Sequence, residues 1–161
     1  MAVLIIANLI IGLFGDAIEK LLGGSPFPVH KSIGLTVLAL ALVRIAWRLS
    51  HKPPPLTEAG TAPLEHRLAG TVHFLLYALM VVMPMSGWIM SSAGKSPLGW
   101  FGLFPVPKFA VTRADPIVGA SGATHHYLGY LMAALVIGHI AAALRHHFLL
   151  RDNVLRRMLP S

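Results

Sequence analysis

A chain of 161 residues that is 55% hydrophobic and only 12% charged is not an ordinary soluble domain, whose surface keeps about 25% charged residues in contact with water. It contains no cysteine, which excludes a disulfide framework, thiolate metal ligands, iron–sulfur clusters and a cysteine nucleophile together. The net charge of +7 does not point to nucleic acid, because the basic residues flank apolar runs and form no solvated basic face.

Four apolar runs follow in chain order. A helix rises 1.5 Å per residue, so a membrane span needs about 20 residues, within a range of about 17–25. The first run, residues 1–14 (MAVLIIANLIIGLF), closes at Gly15-Asp16 and is too short. It has neither the basic start nor the small-residue cleavage site of a signal peptide, so it reads as a first helix truncated at its N-terminus. Runs at 29–49, roughly 68–90 and about 125–150 are long enough. The expectation is an all-α membrane protein: one domain over residues 1–161, a four-transmembrane-helix bundle with its first helix truncated, in contact with membrane lipid.

Lys and Arg in the loops set orientation. Arg44, Arg48, Lys52 and Arg67 surround the connection between runs two and three, and Arg145, Arg151, Arg156 and Arg157 close the chain. Lys20, Lys31, Lys95, Lys108 and Arg113 lie at the opposite end. The bias places both termini and the Pro-rich loop at 52–63 in the cytoplasm. The loop at 91–123, rich in Gly, Pro and aromatics, is expected outside as an ordered cap.

Of nine histidines, His30, His73, His125 and His139 lie within or at the ends of apolar runs. An intramembrane ionisable side chain is costly and is read first as functional, although a lone histidine also serves as a helix–helix hydrogen-bond donor. His125 and His139 are 14 positions apart on one helix. That spacing leaves them within about 40° of one face and about 21 Å apart along the axis. Two ligands near opposite leaflets suit two stacked haems, each needing a histidine from a facing helix. His30 opens run two and His125 opens run four at the same end, so they can pair. For His139 the histidine at similar depth is His73; His146 shares its helix and cannot face it. His51, His66, His126, His146 and His147 read as boundary or loop side chains. Arg44 and Arg48 either neutralise haem propionates or anchor the helix at the headgroups.

The stretches PxxHKSIG–VxRIxWRL (26–49), TVHFLLYxLMxxMPxSGW (71–88) and THHYLGYLMxxLVxGHIxAALRHHFxxRDNVLRRMLP (124–160) resemble the bacterial cytochrome b561 family. The resemblance covers nearly the whole chain. It implies a multi-pass dihaem b-type cytochrome of the bacterial inner membrane, similar to the haem-bearing anchors of hydrogenases and formate dehydrogenases. Some members are superoxide oxidases that pass electrons from superoxide through haem to ubiquinone. Family ligands fall on His30, His125 and His139. The remaining family ligand, in an HW-type motif near the start of the first helix, has no counterpart; its position would precede Met1. Either the true start lies upstream, or the chain holds only the outer haem firmly and recruits His73.

Three functions follow. The chain is an oxidoreductase between a small outer donor such as superoxide and the quinone ubiquinone, or an electron-transfer subunit docked on a partner dehydrogenase or hydrogenase, or a haem-free transporter with histidine proton relays. The paired depths of the histidines disfavour the third. No nucleophile–base set, carboxylate pair or phosphate loop is visible, so the chemistry falls to a cofactor, haem b in one or two copies, with the protein supplying position and electrostatics.

Overall fold

Hydrocarbon offers no hydrogen bonds, so a chain crossing it must satisfy every backbone N–H and C=O internally, and helices are the simplest solution. The computed structural model describes residues 1–51 and 63–151. Most of the Pro-rich connection between runs two and three, and the terminal RDNVLRRMLP stretch after Arg151, lie outside the described residues. Helix α1 spans Ala2–Leu22, α2 Phe27–Ser50, α3 Pro63–Ser92 and α4 Pro116–Arg145, with a π-helical turn, His146–Leu150, continuing α4. All four are long and apolar enough to cross a membrane, as the composition requires.

Two helix ends differ from the apolar runs, each for a packing reason. The first helix begins at residue 2 and is 21 residues long, so it is a full span where the run of 14 residues is too short. It continues through Gly15-Asp16 with one irregular residue, Phe14 (φ −116°, ψ 17°). Gly15 is buried there, and a Cβ on it would meet the Phe27 ring of α2 at 2.8 Å, so this glycine marks close helix contact and not a turn. The fourth helix starts at Pro116, nine residues before its apolar run. Proline's fixed φ suits the first helical position, and the small residues at 119–123 (GASGA) carry no hydrophobic period to reveal the turn.

Helix α1 lies against α2 and α4, α2 against α3, and α3 against α4, closing a ring. Its core is Ile33, Val37 and Ala41 from α2, Leu79 and Met80 from α3, and Met132 from α4. Many larger apolar side chains face outward instead, among them Val3, Val43, Phe74 and Ile137; an apolar exterior of that kind fits lipid. Inside α3, Pro84 has no N–H for the carbonyl one turn earlier.

The cap expected at 91–123 is ordered. Strands β1 (Gly99–Trp100) and β2 (Phe104–Pro105) form an antiparallel hairpin, with Trp100 paired to Phe104. Its turn has positive φ at both Phe101 and Gly102, as a tight hairpin turn with the right-handed strand twist needs. Buried Ser32 of α2 accepts the Phe101 N–H at 2.9 Å, and the Trp100 indole donates to Thr36 Oγ1 at 2.9 Å. The Trp88 indole donates to the Pro107 carbonyl at 2.9 Å. These bonds fasten the cap over the end of the bundle that holds His30.

Candidate functional site

His30 lies in the first turn of α2 and His125 in α4, two and a half turns from its start. Their ring centroids are 6.0 Å apart, with the planes at 82°. His30 Nδ1 lies 3.1 Å from the Asn8 carbonyl of α1. His125 Nδ1 lies 2.9 Å from the Met83 carbonyl of α3. A carbonyl only accepts, so each Nδ1 carries the ring proton and donates it. The Nε2 lone pair is thereby left available in both rings, the arrangement by which a second partner orients a metal-binding imidazole. Ser86 Oγ also donates to the Met83 carbonyl, at 2.8 Å, and sits 3.2 Å from His125 Nδ1.

The helices approach the rings through glycine. A Cβ at Gly12 would stand 3.0 Å from His30 Cε1, and one at Gly87 2.9 Å from His125 Cε1. Beside the rings is a cavity of about 420 Å³, within the usual 300–1,000 Å³ range of ligand sites. Leu9, Val37, Leu79, Met80 and Met132 line it, with Lys31 and His126 also on its wall. Asn8 Oδ1 is buried on the same wall with no hydrogen-bond partner among the described residues, and such an acceptor calls for a donor from whatever fills the space.

These residues fit haem better than a bare metal ion. Among the described residues no three His, Asp or Glu side chains converge, whereas structural zinc takes four protein ligands and catalytic zinc three. Haem iron needs only axial ligands, its macrocycle supplying the rest. Two metal–imidazole bonds of about 2.0 Å, plus the half-width of each ring, put ring centres about 6 Å apart. The His30–His125 separation meets that span.

At the other end of the bundle His73 of α3 and His139 of α4 come together, with centroids 5.4 Å apart and planes at 69°. The structure thus brings together both pairs expected from depth. The second is less complete: its rings stand closer, and no hydrogen bond to a carbonyl orients either one. Gly138 beside it meets nothing within 4 Å, so it does not mark a close approach. Of the other histidines, His51 stacks on Trp47 at 3.9 Å, His126 sets its edge against Tyr130 at 5.1 Å, His147 contacts Phe148 and His146 opens the π-helical turn. The side chain of His66 is outside the description. Sequence reasoning missed Asn8, Gly12, Met83 and Gly87; Asn8, the one polar side chain in an apolar run of 14, carried a visible signal.

Comparison with known proteins agrees with this geometry. The model of the family described as prokaryotic cytochrome b561 matches residues 1–161. The chain is 35% identical to cytochrome b561 homolog 2 of Escherichia coli (strain K12), over 81% of this chain and 69% of that protein. It is 34% identical to a probable superoxide oxidase of Yersinia pestis, over 82% of this chain and 73% of that protein. With cytochrome b561 homolog 1 of E. coli K12 the identity is 28%, over 81% and 73%.

Proposed function

Since the chain belongs to the prokaryotic cytochrome b561 family, we propose that it carries single electrons through haem b from superoxide, at the outer face, to ubiquinone. Membership makes it a multi-pass b-type haem electron-transfer protein of the bacterial inner membrane. The donor and acceptor are drawn from the name of the Yersinia pestis relative and from the resemblance of the motifs.

The observation that carries the reading is the His30–His125 pair, with both Nδ1 protons held by carbonyls. His30 and His125 are the axial ligands. The Asn8 and Met83 carbonyls keep each imidazole in the metal-binding tautomer, Gly12 and Gly87 make room for the rings, and the apolar wall keeps water out. Haem b, when bound, supplies a one-electron exchange. Two superoxide anions each surrender one electron and leave as dioxygen, and ubiquinone takes two electrons and two protons. His139, with His73 beside it, is the second haem position, reached once the two rings part by roughly half an ångström to admit metal–imidazole bonds of about 2.0 Å. The larger share of Lys and Arg at the His139 end puts that end, with both termini, in the cytoplasm.

A reduced-minus-oxidised spectrum with a haem:protein ratio tests the reading. His30→Ala and His125→Ala are expected to lose the outer haem, while His139→Ala keeps it. A wild-type protein without b-type absorption sinks the proposal. Mixing the holoprotein with superoxide and a ubiquinone analogue tests the reaction: if the haem is reduced but the quinone is not, the chain is a haem-bearing subunit that passes electrons to a docked dehydrogenase or hydrogenase.

A further inference from the structure

At the end of the bundle opposite the cap, two cations of α2 converge on one phenol of α3. Arg44 Nε donates to Tyr77 Oη at 2.9 Å, and Arg48 Nη1 donates to the same oxygen at 3.4 Å. The Arg48 guanidinium carbon stands 5.3 Å from the centre of the Tyr77 ring. Tyr77 is neutral and balances neither charge. Among the described residues the one salt bridge joins Arg145 to Glu65, at 3.3 Å, so no described carboxylate answers Arg44 or Arg48.

Depth makes this costly. The 24 residues of α2 extend about 36 Å, against a hydrocarbon core of about 30 Å. Arg48, two residues from the helix end, reaches the headgroups. Arg44, a turn further in, sits at the edge of the hydrocarbon, where a guanidinium needs a counter-charge or must snorkel. Both arginines are exposed on the outside of the bundle. Trp47 and Val43, on the same two turns, are 64% and 67% exposed. An exposed tryptophan at that level is the usual marker of the headgroup boundary.

We propose that Arg44, Arg48 and Tyr77 form a binding site for the phosphate of an anionic phospholipid, whose acyl chains lie along Val43 and Trp47. Each guanidinium has five N–H donors and spends one on Tyr77, leaving four. The two non-bridging oxygens of a phosphodiester match such a fork in bidentate fashion, and basic pockets between transmembrane helices are a recognised mode of binding such headgroups. Tyr77 fixes both forks, so part of the ordering cost is met before the lipid arrives. The outward position favours lipid over a carboxylate of a haem held inside the bundle. The proposal stands apart from the redox reading and does not need it.

Native mass spectrometry of the haem-loaded protein tests it, with phosphatidylglycerol, phosphatidylcholine or inorganic phosphate added in detergent. Phosphatidylglycerol is expected to stay bound, while phosphatidylcholine and inorganic phosphate do not. At about 1 kcal/mol for each basic residue near the headgroups, Arg44→Gln or Arg48→Gln weakens retention about fivefold, and the double variant about 30-fold, with the haem:protein ratio unchanged. Four results would overturn the proposal: equal retention of the two lipids by the wild type, undiminished retention by the double variant, binding of inorganic phosphate as tight as of lipid, or loss of haem in place of lipid. The wild-type comparison needs no variant, so a misfolded mutant cannot hide the answer.

Discussion

A methyl group at position 87 would come within 2.9 Å of His125 Cε1, and one at position 12 within 3.0 Å of His30 Cε1. Neither ring is free to retreat, because each is fastened by its Nδ1 to a backbone carbonyl on a neighbouring helix. In Gly87→Ala either the ring swings and breaks its bond to Met83, or α3 and α4 move apart. Overpacking of this kind costs about 1–3 kcal/mol. The expected outcome is a lower haem:protein ratio and a lower melting temperature with unchanged helix content, read by absorbance and circular dichroism. Gly119→Ala is the control: a Cβ there meets nothing within 4 Å, and alanine is the better helix former by about 0.5–1 kcal/mol. If the two variants bind haem equally, the close approach at Gly87 is not what shapes the site. The same positions show what a sequence conceals at this scale. The four histidines stood out because an ionisable group in an apolar run has few uses. Their hydrogen-bond acceptors did not, since a carbonyl at Asn8 or Met83 has no side-chain signature, and glycine in a membrane helix has many roles.

Between the helices, the cap depends on one hydroxyl. Ser32 Oγ accepts the Phe101 N–H at 2.9 Å and lies 2.9 Å from the Pro28 carbonyl and 3.3 Å from that of Gly99, with only 2% of the residue exposed. Ser32→Ala leaves the Phe101 N–H unpaired in a buried place, at a cost of about 1–3 kcal/mol. The four helices do not use that bond, so the change belongs to the hairpin alone. Limited proteolysis is expected to cut near residues 99–105 faster in the variant than in the wild type, with helix content preserved; equal cutting rates would mean that other contacts, such as Trp100 on Thr36, hold the cap by themselves. Three of the four spans were legible in the sequence because hydrocarbon selects for apolar length. What hydropathy could not see was the second half of α1 and the first nine residues of α4. There the chain packs through Gly15, Gly119, Ser121 and Gly122, and small residues show neither apolar length nor a helical period. The contacts of Arg44 and Arg48 with Tyr77 were hidden for another reason: they join positions 33 and 29 apart in the chain, and only the register of α2 against α3 brings them together.

Across the whole molecule, the ring of helices closes around a space its own side chains do not fill. The six core residues come from α2, α3 and α4 alone, and only Gly15 is buried in α1. The first helix reaches the others largely along the wall of the cavity, through Ile5, Asn8, Leu9 and Gly12. A ligand that binds only the folded bundle stabilises it in proportion to the logarithm of its excess over Kd, by about 4 kcal/mol at a thousandfold excess. That stabilisation should fall mostly on the helix with least core of its own. Haem removal, by expression under haem limitation, is therefore expected to leave all four helices intact, because in lipid their backbone bonds are internal, while loosening α1 from the ring. Hydrogen-exchange mass spectrometry of the loaded and depleted protein in nanodiscs reads this directly. Peptides from Ala2–Leu22 should lose most protection, those from Phe27–Ser50 less, and those from the tightly paired α3 and α4 least. Equal loss along the chain would show a bundle that melts as one body, and no loss in α1 would show that contacts with α2 and α4 suffice to hold it. The ordering of the three responses links the site to the fold: the element that supplies the Asn8 carbonyl to His30 is also the one that most needs the cavity filled.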